Sequence, residues 1–245
     1  MNLEGKRALV TGGAVRLGRA ICERLAREGA DVVVHYRNSG QQAKDLCKEL
    51  SSVHGVKTAA IGADLVSERA CRALMADADS ELGAIDVLVN NAAVFNKHRL
   101  ADVTEEAVLG EFWPNLFAPM FLMRAFAEQA REGGIVNVLD RRITTLDSSC
   151  VPYLLTKHGL ATLTRVAALE LAPRVTVNGV APGAILAPPG EGEGYLKEQG
   201  GGVPLERQCT PEEVADAVAY LLKSNALTGQ IIYVDGGQHL LGRME

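Results

Sequence analysis

Apolar residues in this chain fall into short runs separated by longer segments of mixed polarity. RALVT, DVVVHY, KTAAIGA, IDVLVN, GIVNVL, RVTVNGVA and IIYVD predict seven strands. These runs are continuous rather than alternating, as expected for parallel strands covered on both faces. Between them the spacing predicts helices over Gly18–Glu28, Gln41–Ser52, Ser67–Leu82, Phe112–Arg131, Val151–Leu171 and Pro211–Leu222. The last opens on Thr210-Pro211-Glu212-Glu213, with an N-cap threonine, proline at the first helical position and glutamate at the capping-box position. Strands alternating with helices imply a single-domain, Rossmann-type, doubly wound α/β sheet of about seven parallel strands spanning residues 1–245.

Composition narrows the classes. A net charge of −5 over 245 residues with no basic stripe argues against a nucleic-acid partner. No apolar run approaches a membrane-spanning length and the start has no apolar leader, so a cytoplasmic protein without a membrane partner is expected. Five scattered cysteines contain no C-x-x-C pair, and five dispersed histidines show no H-x-x-x-H spacing, so no metal is expected. The one long stretch rich in glycine and proline, Pro188 to Gly202, suggests a flexible substrate loop at about 184–203.

Candidate chemistry collects where strands end. After the first strand stands TGGAVRLG, Thr11 to Gly18, with Thr11, Gly12, Arg16, Leu17 and Gly18 in a T-G-x-x-x-R-x-G spacing. Glycines there permit close backbone approach, and the following helix would point N–H groups at a pyrophosphate. The second strand runs into His35, Tyr36, Arg37, Asn38 and Ser39, with no acidic residue to grip a ribose 2′-hydroxyl. An arginine there suits a 2′-phosphate, so NADPH/NADP+ is the expected cofactor, although Arg37 could equally be a solvated loop charge. Asp64 and Leu65 follow the third strand, Asn91 and Ala92 the fourth, and Pro182 and Gly183 the sixth. Tyr153 and Lys157 lie one helical turn apart on one face, so the lysine is expected to stabilise a tyrosinate and lower the phenol's pKa.

TGGAVRLG, NNAA, Asn115, Tyr153/Lys157, Pro182-Gly183 and the terminal VDGG occur in the order found in the short-chain dehydrogenase/reductase family, which the chain resembles over nearly its whole length. The resemblance implies Tyr153 as proton donor or acceptor, Lys157 on the nicotinamide ribose, and Asn115 in a water relay. It also implies a homotetramer built through the two long helices, Phe112–Arg131 and Val151–Leu171. One departure is pronounced: thirteen positions before the tyrosine, where the family usually has serine, stands Asp140.

Asp140, Arg16 and Phe95 together resemble the pteridine reductase and dihydromonapterin reductase branch. By that resemblance Phe95 stacks on a flat pterin; the planar guanidinium of Arg16 could hold cofactor phosphate and substrate edge together, and Asp140 with Tyr153 could handle protons, so Arg16, Phe95, Asp140 and Tyr153 are the expected substrate contacts. A carboxyl could supply or relay the proton that reduction of a C=N bond requires. Arg141 and Arg142 could make Asp140 a poorer acid, attract an anionic substrate tail, or face solvent. The expected activity is NADPH-dependent pterin or dihydropteridine reduction of a small-molecule substrate. A 3-oxoacyl-thioester carbonyl reductase and a non-catalytic NADP-binding sensor are the alternatives.

Overall fold

Seven buried apolar runs become one sheet in the computed structural model, which describes residues 1–130, 132–185 and 203–241. The strands are β1 (Arg7–Val10), β2 (Asp31–Tyr36), β3 (Thr58–Gly62), β4 (Val87–Asn90), β5 (Gly133–Val138), β6 (Val175–Pro182) and β7 (Ile231–Val234). All pair in parallel in the order β3-β2-β1-β4-β5-β6-β7, with Leu9 beside both Val33 and Leu88. The helices are α1 (Arg16–Arg27), α2 (Gly40–His54), α3 (Glu68–Leu82), α4 (Glu105–Phe112), α5 (Ala118–Gln129), α6 (Val151–Leu171) and α7 (Pro211–Lys223).

Successive strand residues point to opposite faces, and here both faces are buried. Ala8, Val10, Val32, Val34, Val87 and Val89 pack under α1, α2 and α7; Leu9, Val33, Leu88 and Ile135 pack under α3, α5 and α6. That is why the runs read as continuously apolar. The capping box at α7 forms as expected: the Thr210 hydroxyl accepts from Glu213 N–H at 3.3 Å, and the Glu213 carboxylate accepts from Thr210 N–H at 2.9 Å.

One helix departs from the sequence reading. Instead of a single helix over Phe112–Arg131, α4 begins at Glu105, capped by the Thr104 hydroxyl, which accepts from Ala107 N–H. A π-helical turn, Trp113–Phe117, then joins it to α5. Pro114 cannot donate a backbone hydrogen bond, and widening the turn is one way a helix absorbs that loss. Asn115 sits in this wide turn and is buried. Apart from Ala184, Ile185 and Val203, the expected loop at about 184–203 lies outside the described residues, as does Arg131.

Candidate active site

The carboxyl ends of β1, β2, β4, β5 and β6 surround a cavity of about 560 Å³. At one end are Gly12, Arg16, Leu17, Gly18, His35, Arg37, Asp64 and Leu65; Asn91, Ala92, Pro182 and Gly183 line the middle. At the other end Phe95, Asp140, Tyr153 and Lys157 converge. Most residues expected at a site are therefore brought together.

The glycine loop is shaped by contacts that sequence spacing does not reveal. A Cβ on Gly18 would lie 2.0 Å from the Gly12 carbonyl oxygen and 2.7 Å from Asn91 Nδ2, so only glycine lets α1 start this close to β1. Gly12 (φ +62°) and Arg16 (φ +55°) both adopt left-handed backbone, the arginine at the first position of α1. Val15 before it makes no side-chain cap, so that an anion could take the place of a capping side chain at the start of the helix. A phosphate-bearing dinucleotide fits such a cradle.

Beneath the loop His35 is locked as a neutral ring. Gly12 N–H donates to its Nδ1 at 3.1 Å, so Nε2 carries the proton and donates to the Ala63 carbonyl at 3.1 Å. Burial pulls the His35 pKa down to about 4, against smaller raising effects from the Ala63 bond and Asp64. Because the unfolded chain takes up this proton near pH 6.5, the stability His35 confers is complete above about pH 6.5. It is lost as pH falls from there toward 4, at a cost of about 3 kcal/mol. Comparing unfolding free energies of wild type and His35→Asn across that window should show a shallower slope in the variant; parallel curves would contradict the assignment.

Several expected contacts lie outside the cavity wall. Thr11 is buried, and its hydroxyl accepts from Asn91 N–H at 2.9 Å and Ala92 N–H at 3.0 Å, joining the ends of β1 and β4. Tyr36 packs against Gly40 and Gly62 rather than lining the cavity. Asn38 and Ser39 follow Arg37 on the rim, Asn38 exposed and Ser39 half-buried just before α2. Asn115 also lies behind the wall. Its side-chain oxygen accepts from Val94 N–H and its amide donates to the Val94 carbonyl, both at 2.8 Å, so it braces the chain beside Phe95.

At the opposite end the Tyr153 hydroxyl donates to Asp140 Oδ2 at 2.9 Å. Lys157 is buried, and its ammonium donates to the Val138 carbonyl at 2.8 Å, 5.7 Å from the Tyr153 ring centre. This corrects the expectation that Lys157 lowers the Tyr153 pKa. Burial, then the adjacent Asp140 carboxylate, raise it well above 10, while burial lowers Lys157 to about 8. A phenol in this setting stays protonated and is a donor.

The role expected of Asp140 as a proton source also meets a different geometry. It accepts from Tyr153 and from Arg142 N–H at 2.8 Å, and it pairs with Arg142 Nη1 at 3.1 Å. Every one of these partners is a donor, so Asp140 is placed as an acceptor. Arg142, which the sequence reading left among several possibilities, lines the cavity. A two-residue separation alone does not tell which way an arginine turns; the Asp140-capped 3₁₀ turn, Arg141–Thr144, directs it inward. The hydroxyl of Ser149 is committed to Asp147 at 2.6 Å and does not replace the missing serine.

Among the described residues no group of three or more His, Cys, Asp or Glu side chains is placed to hold a metal ion, and no helix is long and apolar enough to cross a membrane.

A parallel sheet with a glycine cradle after β1 and a tyrosine–lysine pair at the other end of one cavity defines a Rossmann-type oxidoreductase. The chain belongs to the short-chain dehydrogenase/reductase family: residues 13–239 match the family model described as enoyl-(acyl carrier protein) reductase. It is 36% identical to glucose and ribitol dehydrogenase homolog 2 of Arabidopsis thaliana, covering 96% of this chain and 86% of that protein. It is also 36% identical to the 3-oxoacyl-[acyl-carrier-protein] reductase FabG of Aquifex aeolicus, over 97% and 98% of the two chains. Among solved structures, FolM alternative dihydrofolate reductase 1 from Brucella canis, complexed with NADP, superposes with a TM-score of 0.94 at 31% identity, covering 99% of this chain and 97% of that one.

Proposed function

We propose that this chain is an NADPH-dependent reductase of a pterin or dihydropteridine. The observation that carries the reading is the Tyr153 hydroxyl hydrogen-bonded to the Asp140 carboxylate, with the Phe95 ring edge-on to Tyr153 at 4.8 Å, in one cavity with Arg16. The likeness to an alternative dihydrofolate reductase complexed with NADP supports it.

Reducing a C=N bond adds two electrons and a hydrogen at carbon and a proton at nitrogen; bound NADPH supplies the hydride. The chain's residues do the rest. The Gly12–Gly18 cradle and the amides opening α1 hold the pyrophosphate, with Arg16 beside them. Arg37, with Asn38 and Ser39 after it, receives the 2′-phosphate, and Asp64 and Leu65 wall the same end. Lys157, with a pKa near 8, lies where a nicotinamide ribose would pass. Phe95 offers an aromatic face to the flat ring, and Tyr153 delivers the proton by turning its one O–H from Asp140 to the substrate nitrogen.

NADPH oxidation should proceed with dihydrobiopterin, dihydromonapterin or dihydrofolate; no turnover with any of the three overturns the substrate assignment. The resemblance to FabG favours one second reading, a 3-oxoacyl-thioester reductase, in which a preference for acyl thioesters over pterins would be observed. Tight NADPH binding without turnover on either class would leave the non-catalytic sensor.

We also read the protein as a homotetramer in the cytoplasm. Leu155, Val166 and Leu169 on α6 and Met120 on α5 expose apolar surface that such an assembly would cover. Sedimentation velocity measures the assembly.

A further inference from the structure

At the substrate end the contacts of Arg142 reach two segments, its own loop from Asp140 to Asp147 and the chain at Phe95. The Arg142 guanidinium pairs with Asp140 Oδ2 at 3.1 Å and with Asp147 Oδ2 at 3.4 Å, and its central carbon lies 5.4 Å from the Phe95 ring centre. Its backbone N–H also donates to Asp140 Oδ1 at 2.8 Å. The side chain is only 16% exposed, so these contacts are made largely out of solvent. Little in the family pattern pointed here, because the residue lies neither at the usual serine position nor on the catalytic helix.

We propose that Arg142 is the specificity-determining positioning residue of the substrate end, fixing Asp140 as an acceptor and Phe95 in its tilt so that the site takes a planar heterocycle presenting N–H donors. The inference rests on the pterin reading above and names which residue enforces it. A carboxylate has roughly four acceptor positions. Among the described residues two donors from Arg142 and one from Tyr153 occupy three, and a position on Oδ1 remains. An amino-substituted ring edge satisfies that position with an N–H. A ketone or thioester carbonyl brings only acceptors to it, and so meets repulsion there. The guanidinium over Phe95 also fixes the ring by a cation–π contact, and its planar fork reaches both carboxylates as an ammonium could not.

The test measures kcat/KM with NADPH for dihydrobiopterin and for a small ketone in wild type, Arg142→Met and Arg142→Lys. In Arg142→Met the pterin-to-ketone ratio should fall about 10- to 100-fold, with NADPH affinity little changed. Arg142→Lys, keeping the charge without the fork, should recover only part of the ratio. An unchanged ratio in Arg142→Met, or equal losses on both substrates, overturns the assignment. If wild type reduces the ketone and no pterin, it is the substrate reading that fails. The positioning role is then decided on the ketone by a double-mutant cycle of Arg142→Met with Asp140→Asn: non-additive losses support it, and additive losses overturn it.

Discussion

Replacing Tyr153 with phenylalanine should lower kcat by about 10²- to 10⁴-fold while leaving NADPH affinity nearly intact. The substitution removes one oxygen. The ring keeps its edge-to-face contact with Phe95 and its buried place at the start of α6, so the cavity wall stays in position. What is lost is the hydroxyl that, among the described residues, donates to Asp140, and with it the group proposed to release a proton to substrate. Asp140 keeps both donors from Arg142, so the cost in stability should stay near 1 kcal/mol, typical of a lost hydrogen bond. Single-turnover absorbance at the NADPH band measures the chemical step, and titration of NADPH fluorescence measures binding. Near-normal turnover in the variant would remove Tyr153 from the mechanism.

Gly18→Ala should damage the proposed cofactor end by a different route. Its methyl group would meet the Gly12 carbonyl oxygen at 2.0 Å, a backbone atom rather than the end of a flexible side chain. That carbonyl is held by Asn91 Nδ2 at 3.1 Å, so neither partner can swing aside, and α1 must move off the loop. Overpacking of this kind costs about 1–3 kcal/mol. If the displacement withdraws the opening amides of α1 from a phosphate, NADPH affinity falls about tenfold for each 1.4 kcal/mol lost. Gly110 supplies the control: it lies inside α4 with nothing within 4 Å of a Cβ, so Gly110→Ala should be neutral or stabilising by up to about 1 kcal/mol. Calorimetric titration of NADPH against both variants separates a local clash from a general intolerance of alanine. Wild-type affinity in Gly18→Ala would show that the loop is not the cofactor cradle.

Much of the fold was legible along the chain because its signals are local. Val32, Val33 and Val34 had to be covered on both faces, and a threonine followed by Pro-Glu-Glu had to open a helix; both readings match the structure. The i, i+4 spacing of Tyr153 and Lys157 correctly put them on one helix, since helix geometry alone sets it. The π turn was not legible. Nothing local distinguishes a proline that ends a helix from one that widens it, and the outcome at Trp113–Phe117 accompanies the burial of Asn115 against Val94.

The site divides along the same line. Residue types at the strand ends were enough to locate the cavity, because parallel strands with helical crossovers bring their carboxyl ends to one edge. Which atoms face each other there was decided by packing. Lys157 could have supported a tyrosinate, yet its ammonium reaches the Val138 carbonyl on β5 and Tyr153 turns to Asp140, so burial and the carboxylate raise the phenol's pKa. Arg142 could have faced water, and the capped turn after Asp140 brought it over Phe95 instead. Periodicity and spacing are local properties of the backbone and can be read from order alone. Charge pairing and desolvation depend on distances between segments remote in sequence, and only the folded chain sets those distances.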